Sequence, residues 1–531
     1  MRYSNIWVRE LLVLAAFGCA AIVGCGSTPT ASSPNSQDAG EDASEAGSPD
    51  ASDAASSDAD AATPDAGDAA SNDGGDGATA DSAVCSTGNA IPQFVTSNLT
   101  LTKACSPWSA PMPVLVGDAT NHPVLTIEAG VTVQFASGAY LYVGQAQSGA
   151  APGGLQATGA AGSPIVLTSA SATPTPGSWG GVYFGPSADA TSTLTYATVQ
   201  YGGQQFAPLL NTPIDLGSIY VDAGTASPLS NSASLRILLS NLTVSHNGGS
   251  GIVFFGPYAG FAASSGSLTI PDWAMGGYPI VIDANAADSL PVSLTTGASG
   301  HQGGVGIVAE DQNMSSGGGD VLIHNETWPS IPIPYIYDSS LFNAAPVGQC
   351  GISVDGTASG TITLTIASPN TIEFGKPCGI YVSTNTSGGR LIANGTATAP
   401  IVFTSAQPTP APGDWTGITV NSDAMTADFG ATSFAYCTFS YAAGATYGAP
   451  PGSSELYFDG FAACLPAGGG PGTAGPPITN CTFTNYAGCA VDGLDLLNEA
   501  TTYGASTTGT NGNLFTPATG NTAGVCTQTN C

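Results

Sequence analysis

Hydrophobic and polar positions alternate in short runs through most of this chain. Val131, Val133 and Phe135 face one way, and Thr132 and Gln134 the other. Ile165 with Leu167, Val182 with Phe184, and Val199 with Tyr201 repeat the alternation. A period of two is that of a strand with one buried face. Runs of roughly four to six residues recur about every eight to twelve positions, parted by Gly, Pro, Asn or Ser, as in a many-stranded all-β fold. No long stretch keeps a helical period. Alternation by itself fits a sandwich as well as a solenoid.

Repetition separates the two. VLTIEAGVTVQF (Val124–Phe135) returns 239 positions later as TLTIASPNTIEF (Thr363–Phe374). GGLQATGAAGSPIVLTSA (Gly153–Ala170) returns as GGRLIANGTATAPIVFTSA (Gly388–Ala406), and PGSWGGVYF (Pro176–Phe184) as PGDWTGITV (Pro412–Val420). LTYATVQY (Leu194–Tyr201) faces FAYCTFSY (Phe434–Tyr441), and NLTVSHNGGSGIV (Asn241–Val253) faces NCTFTNYAGCAVD (Asn480–Asp492). The order is kept, so one long unit has been copied once, as a stack of coils tolerates. A shorter echo follows Trp108, Trp273 and Trp328: a Pro, an aliphatic or aromatic triplet and an Asp within ten residues. It divides the chain into modules at 85–272, 273–327 (abbreviated) and 328–531, the last with a C-terminal cap.

The run LTIEAGVTVQF…SPIVLTSA…PGSWGGVYF…LTYATVQYGG resembles bacterial right-handed parallel β-helix proteins of the pectin-lyase-like superfamily. The likeness spans about residues 95–256 and 354–495. It implies a right-handed parallel β-helix, internally duplicated. Gly177 and Gly413 would then permit a tight corner, and Trp179 and Trp415 would cover it, with sugar stacking as the functional alternative. The resemblance also brings a chemistry to look for. Lyases of the superfamily use Arg or Lys as base beside calcium-holding carboxylates; its hydrolases use clustered Asp with Gly-His-Gly and Arg-Ile-Lys. The folded region offers only Lys103, Arg236, Lys376 and Arg390, and neither motif is present. No catalytic residue and no cofactor is assigned.

The N-terminus changes the address. Residues 1–24 carry Arg2 and Arg9 ahead of an apolar run from Leu11 to Val23, too short to span a bilayer comfortably and in keeping with a signal peptide. Ile22-Val23-Gly24-Cys25 resembles a bacterial lipobox, which implies lipidation of Cys25. From there to residue 84 the chain is mostly Asp, Ala, Ser, Gly and Pro, without a basic or aromatic residue. Such a stretch cannot bury enough apolar surface to order itself, and its charges repel, so residues 25–84 read as a disordered, hydrated tether. Stretched, it reaches about 200 Å. The expected location is the cell envelope, lipid-anchored at the outer membrane and surface-exposed.

Charge narrows the partners. The net charge is −31, because the chain has 37 acidic and six basic residues. That excludes nucleic acid, which requires a basic surface, and it repels polyuronates. Ten cysteines remain beyond the signal and lipid positions, an even number in an exported chain, which points to disulfides. Proximity favours Cys85–Cys105, Cys350–Cys378 and Cys526–Cys531. Cys437 and Cys481 fill equivalent slots in consecutive coils, where a bond or two stacked thiols would both fit. Without Cys-x-x-Cys or a His cluster, no metal is assigned.

The remaining polar residues suggest structure more than chemistry. Asp118, Asp283 and Asp338 follow the echoed strands and read as turn caps, with calcium as the alternative. Glu373 stands where the first copy has Gln134 and reads as a surface group. Glu310–Asp311 and Asp492/Asp495 are the close acid pairs to test for acid–base work. His246 falls on the inward phase of its strand, as a core or coil-edge residue. The resulting expectation is a surface-anchored, non-enzymatic lipoprotein, held to the membrane by its lipid, that binds polysaccharide or cell-surface matrix through a Thr/Ser/Asn-rich flank. A polysaccharide lyase or glycoside hydrolase, or a structural envelope spacer, are the alternatives.

Overall fold

The computed structural model describes Cys85 and residues 89–204, 217–224, 234–297, 303–308, 320–338, 350–356, 360–383, 388–421, 431–442, 456–459, 477–486, 488–494, 510–518 and 525–528. All belong to one compact unit. Cys25 and the acidic stretch up to residue 84 lie outside the described residues.

Each turn of the chain lays down three short strands, and matching strands of successive turns pair in parallel. Val124–Ile127, Thr132–Phe135 and Leu141–Val143 make one turn; Gly154–Thr158, Ile165–Ser169 and Val182–Phe184 make the next. Leu125 pairs with Leu155, Val133 with Leu167 and Leu141 with Val182. In the second copy Ile362–Ile366, Asn370–Phe374 and Gly379–Val382 stack on Gly389–Asn394, Ile401–Ser405 and Gly417–Asn421. This is a parallel β-helix. The longest sheet has fourteen strands among the described residues; its steps of about 4.8 Å carry it roughly 60 Å.

The period-two pattern explains the interior. Leu125, Ile127, Val133, Phe135, Leu155, Leu167 and Phe374 are each at most 2% exposed and share one continuous core. Each such side chain contributes about 1.5–3 kcal/mol by leaving water. The corners repeat as faithfully. Tyr196, Tyr201, Asn241 and His246 adopt left-handed backbone with φ of 46°, 63°, 53° and 55°, and their counterparts Tyr436, Tyr441, Asn480 and Asn485 do so at 49°, 67°, 53° and 57°. A bent strand can then turn without a loop. In Thr193–Gln200 the bend at Tyr196 joins a first strand directly to a second. Asn tolerates this conformation, whereas a tyrosine needs its surroundings to enforce it.

The repeated Trp closes another corner. Gly177 (φ 75°) and Gly413 (φ 87°) let the chain double back. Trp179 then stacks on Phe135 with ring centroids 4.1 Å apart, and Trp415 on Phe374 at 4.6 Å. Their indole N–H groups donate to Gln200 O and Ser440 O, each at 2.8 Å. Both tryptophans are fully buried, so they pack the corner and are not sugar platforms.

The Trp echo does not mark equivalent places. Trp328 pairs with Ile366 as Leu101 pairs with Ile127, while Tyr335 pairs with Ile372 as Trp108 pairs with Val133. Nor do the copies stack face on face. The longest sheet starts as the third strands of the first copy, through Val182–Phe184 to Val305–Val308. It then passes through Tyr335–Tyr337 into Asn370–Phe374, Ile401–Ser405, Cys437–Ser440, Thr482–Thr484 and Leu514–Thr516, the second strands of the second copy. The first copy's second-strand column ends at Leu294–Thr296, and a new column opens at Asp320–Val321. Equivalent strands of the copies therefore stand one face apart.

Cys85 is bonded to Cys105 and Cys350 to Cys378, with Cα atoms 5.8 and 4.4 Å apart. Cys489 is also disulfide-bonded. Cys437 and Cys481 are not: both are free, buried thiols on successive turns, the backbone N–H of Cys437 donating to Cys481 Sγ at 3.3 Å. Burial pushes the Cys437 thiol well above its ordinary pKa. Cys531 and the side chain of Cys526 lie outside the described residues.

Candidate ligand-binding face

The outward positions of the second strands form polar rows in both copies. In the first, Thr132, Val166, Thr198, Thr243, Thr269 and Thr295 follow one another in ladder register. In the second the same positions carry Thr371, Val402, Thr438, Thr482 and Leu514. The neighbouring row reads Gln134, Thr168, Gln200 and Ser245 in one copy, and Glu373, Thr404, Ser440, Thr484 and Thr516 in the other. Some of these side chains pair along the ladder. Gln200 Nε2 donates to Thr168 Oγ1 at 3.0 Å, and the Ser440 hydroxyl to Thr404 Oγ1 at 2.8 Å. The rows offer hydroxyl and amide groups at about 4.8 Å intervals on a rigid backbone.

The third strands of the first copy show the opposite outer face. Tyr142, Tyr183, Tyr220, Val253, Val281 and Ile336 point outward from the same long sheet, yet each is at most 9% exposed. Tyr183 stacks on Tyr220 at 5.0 Å and donates to Asp222 Oδ2 at 2.6 Å. Burial lifts the Asp222 carboxyl above its usual range, and burial lifts the phenol of Tyr142 to about 12.

Where the apolar row gives way to the polar one, at Ile336, Glu373 and Thr404, a groove of about 450 Å³ opens. Pro334, Glu373, Thr404, Gln407, Pro408 and Pro410 line it with Gly303, Ser405 and Ala406. The corner loop that carries Pro408 is fixed from behind: Asp414 accepts from the Ser405 hydroxyl at 2.8 Å and from Ala411 N at 2.7 Å. Glu373 is half-buried, and loss of hydration raises its carboxyl above the ordinary range. Gln134, its counterpart, is exposed. Glu373 is therefore no plain surface group; the sequence signal was a single charge in an otherwise uncharged row.

A second polar cluster sits at the junction of the copies. Asp283 caps the short 3₁₀ helix Ala284–Ser289 by accepting from Asn285 N at 2.8 Å and from Asn285 Nδ2 at 3.1 Å. Asn285 in turn accepts from Ile323 N at 2.7 Å, fixing the next turn. There His324 Nδ1 lies 2.9 Å from Glu326 Oε1, an ion pair when the ring is protonated. Burial raises the carboxyls of Asp283, to about 6, and of Glu326, and the Glu326 carboxylate raises His324. Arg236 and Asp288 pair nearby at 3.3 Å. Sequence reading missed this grouping, because Asp283 and Glu326 meet only through the fold.

The other candidates fall apart in space or out of view. Asp118 accepts from Thr120 N and Asn121 N at 2.9 and 2.8 Å, a turn cap as expected, and Asp338 packs against Gly375. His246 is exposed on its corner and stacks on Tyr201 at 4.5 Å, so it is a coil-edge residue and not an inward one. Glu310, Asp311, Asp495, His301 and the side chain of Asp492 lie outside the described residues. Among the described residues no group of three His, Cys, Asp or Glu side chains could hold a metal.

A family model described as a pectate-lyase-like beta helix domain matches residues 96–208 and 353–450, one segment in each copy of the repeated unit. These two segments form a pectate-lyase-like parallel β-helix. No curated protein and no solved structure matches it. The matched segments contain both Trp corners and the first part of each polar row, from Thr132 to Gln200 and from Thr371 to Ser440.

Proposed function

We propose that this β-helix is a non-enzymatic, surface-displayed lipoprotein that binds glycan or matrix polymers along the polar rows of its second strands. The observation that carries the reading is the register. Threonine side chains recur on the same outward positions in both copies, with serine and glutamine among them in the first and serine in the second, on turns held rigid by one continuous core. A polymer with a regular repeat can meet such an array at many points, each weak and together additive. Cys25 would anchor the chain through more than one acyl chain, which holds firmly where a single one would be marginal. The acidic residues 25–84 would hold the helix clear of the envelope.

Soluble protein from residue 26 onward, passed over immobilised neutral and charged polysaccharides, is expected to be retained without releasing unsaturated or reducing ends. Release of either product overturns the non-enzymatic reading. Labelled palmitate should enter the full chain and not its Cys25→Ala variant, and the full chain should be open to protease on intact cells.

A further inference from the structure

We propose that the groove beside Glu373 takes a primary ammonium group carried by a sugar, that is, an amino-sugar unit with a free amine. The proposal rests on the polymer-binding reading for the idea that this face meets a glycan, and it adds the chemical class. Glu373 projects from Asn370–Phe374 between Ile336 and Thr404, half-buried. No described side chain or backbone donor pairs with its carboxylate, and none of the nine lining residues is Lys, Arg or His. A carboxylate that has lost part of its hydration without gaining a partner favours a cation.

The rest of the lining selects the kind of cation. Pro334, Pro408 and Pro410 offer apolar C–H surfaces on which one face of a pyranose can rest. The Gln407 amide and the Thr404 hydroxyl stand at the polar side, suited to ring hydroxyls. The volume of about 450 Å³ lies within the usual range for small-ligand sites. A uronate would set a second carboxylate against Glu373 on a chain of net charge −31, and a neutral hexose would leave the charge uncompensated. An ammonium group satisfies it, and three donors on one nitrogen can reach several acceptors.

The molecule contains its own control. In the first copy Gln134 replaces Glu373, Ser171 replaces Gln407 and Ala172 replaces Pro408, while Thr168, Ser169 and Ala170 are kept. The backbone position exists in both copies, and the charge in one.

The test is titration of the full chain with glucosamine, N-acetylglucosamine and glucose by chemical-shift change or calorimetry near pH 6.5. Glucosamine is expected to bind at least ten-fold more tightly than the other two. Glu373→Gln should weaken it at least ten-fold, and added salt should weaken it further. Glu373→Gln installs the residue that the first copy already carries, and an unchanged melting profile checks its fold. Gln134→Glu should create at most a weaker site, because Ser171 and Ala172 stand there in place of Gln407 and Pro408, although Pro174 keeps the place of Pro410. Equal binding of the three sugars, or glucosamine binding indifferent to Glu373→Gln, overturns the proposal. Retention of neutral polysaccharide without glucosamine binding overturns this proposal alone. Glucosamine binding without retention of any polymer overturns the polymer reading alone.

Discussion

Beneath the second strands of the first copy run Val133, Leu167, Val199 and Val244; beneath those of the second run Ile372, Phe403, Phe439 and Phe483. The first column is aliphatic. In the second, Phe403, Phe439, Phe483 and Phe515 stack ring on ring at 5.0, 5.0 and 5.1 Å, nearly the rise of one turn. Both columns are fully buried and both support the same strand geometry. The corners did not diverge this way: Trp179 and Trp415, and four pairs of left-handed residues, hold the same places. The helix thus tolerates exchange of what fills a coil far better than exchange of what bends it. A filling residue must match volume with its neighbours, which several side chains can do. A corner must also satisfy a fixed backbone turn and a hydrogen bond from the indole, which few can.

The largest expected effect tests the columns. Phe439→Ala opens a hole between two stacked rings and should destabilise by about 3–5 kcal/mol. Val199→Ala, at the equivalent place, removes two carbons and should cost about 2 kcal/mol. Denaturant unfolding of the full chain, read at the first transition, distinguishes them. Equal losses would mean that the stacked rings add nothing beyond what the aliphatic filling contributes.

How much of this was legible follows from which interactions are local. Strand alternation and the long repeat lie in the chain itself, so the parallel β-helix and the placement of Val133 and Phe374 in its core could be read from them. The proximity of Cys85 to Cys105 and of Cys350 to Cys378 was also visible. The one-face offset between the copies was not, because it depends on how the stretch from Leu294 to Tyr335 winds, and a repeat in sequence says nothing of phase around an axis. The same limit misled the Trp echo, in which Trp328 and Trp108 occupy different strands. Glu373 was visible as an odd charge in its row, but its half-burial comes from Pro334 and Pro408 on separate turns.

A smaller effect probes the junction, where neither copy supplies the pattern. Asp283, Glu326 and His324 all have raised pKa values. A raised value means that the folded state holds protons the unfolded chain has released, so stability falls as pH rises. For Asp283 the contribution is complete below the unfolded value near 3.8 and is lost as pH passes about 6, on the order of 3 kcal/mol. For His324 the loss comes higher, above the ordinary histidine range. Asp118, lowered by its backbone hydrogen bonds, works in the opposite sense, so the informative quantity is a difference between variants. Asp283→Asn keeps an acceptor for Asn285 N and should flatten the fall in melting temperature between pH 4 and 7. A slope identical to that of the parent chain would show that this carboxyl does not couple folding to protons.

The smallest effect exchanges one filling for the other. Cys437 and Cys481 occupy the slots of Ala197 and Leu242 on neighbouring turns. Cys437→Ala with Cys481→Leu rebuilds the first copy's pair inside the second. The loss at one slot partly offsets the larger gain at the other, so the double variant should lie within about 1.5 kcal/mol of the parent. Either single variant should cost more than the double, since one leaves a gap and the other crowds an unchanged neighbour. Alkylation of the unfolded parent, read by mass, should trap both thiols, in keeping with a pair that packs and does not cross-link. A double variant as destabilised as the sum of the singles would mean that the surrounding coils, and not the pair itself, set the fit, and the comparison between copies would then hold only for whole columns.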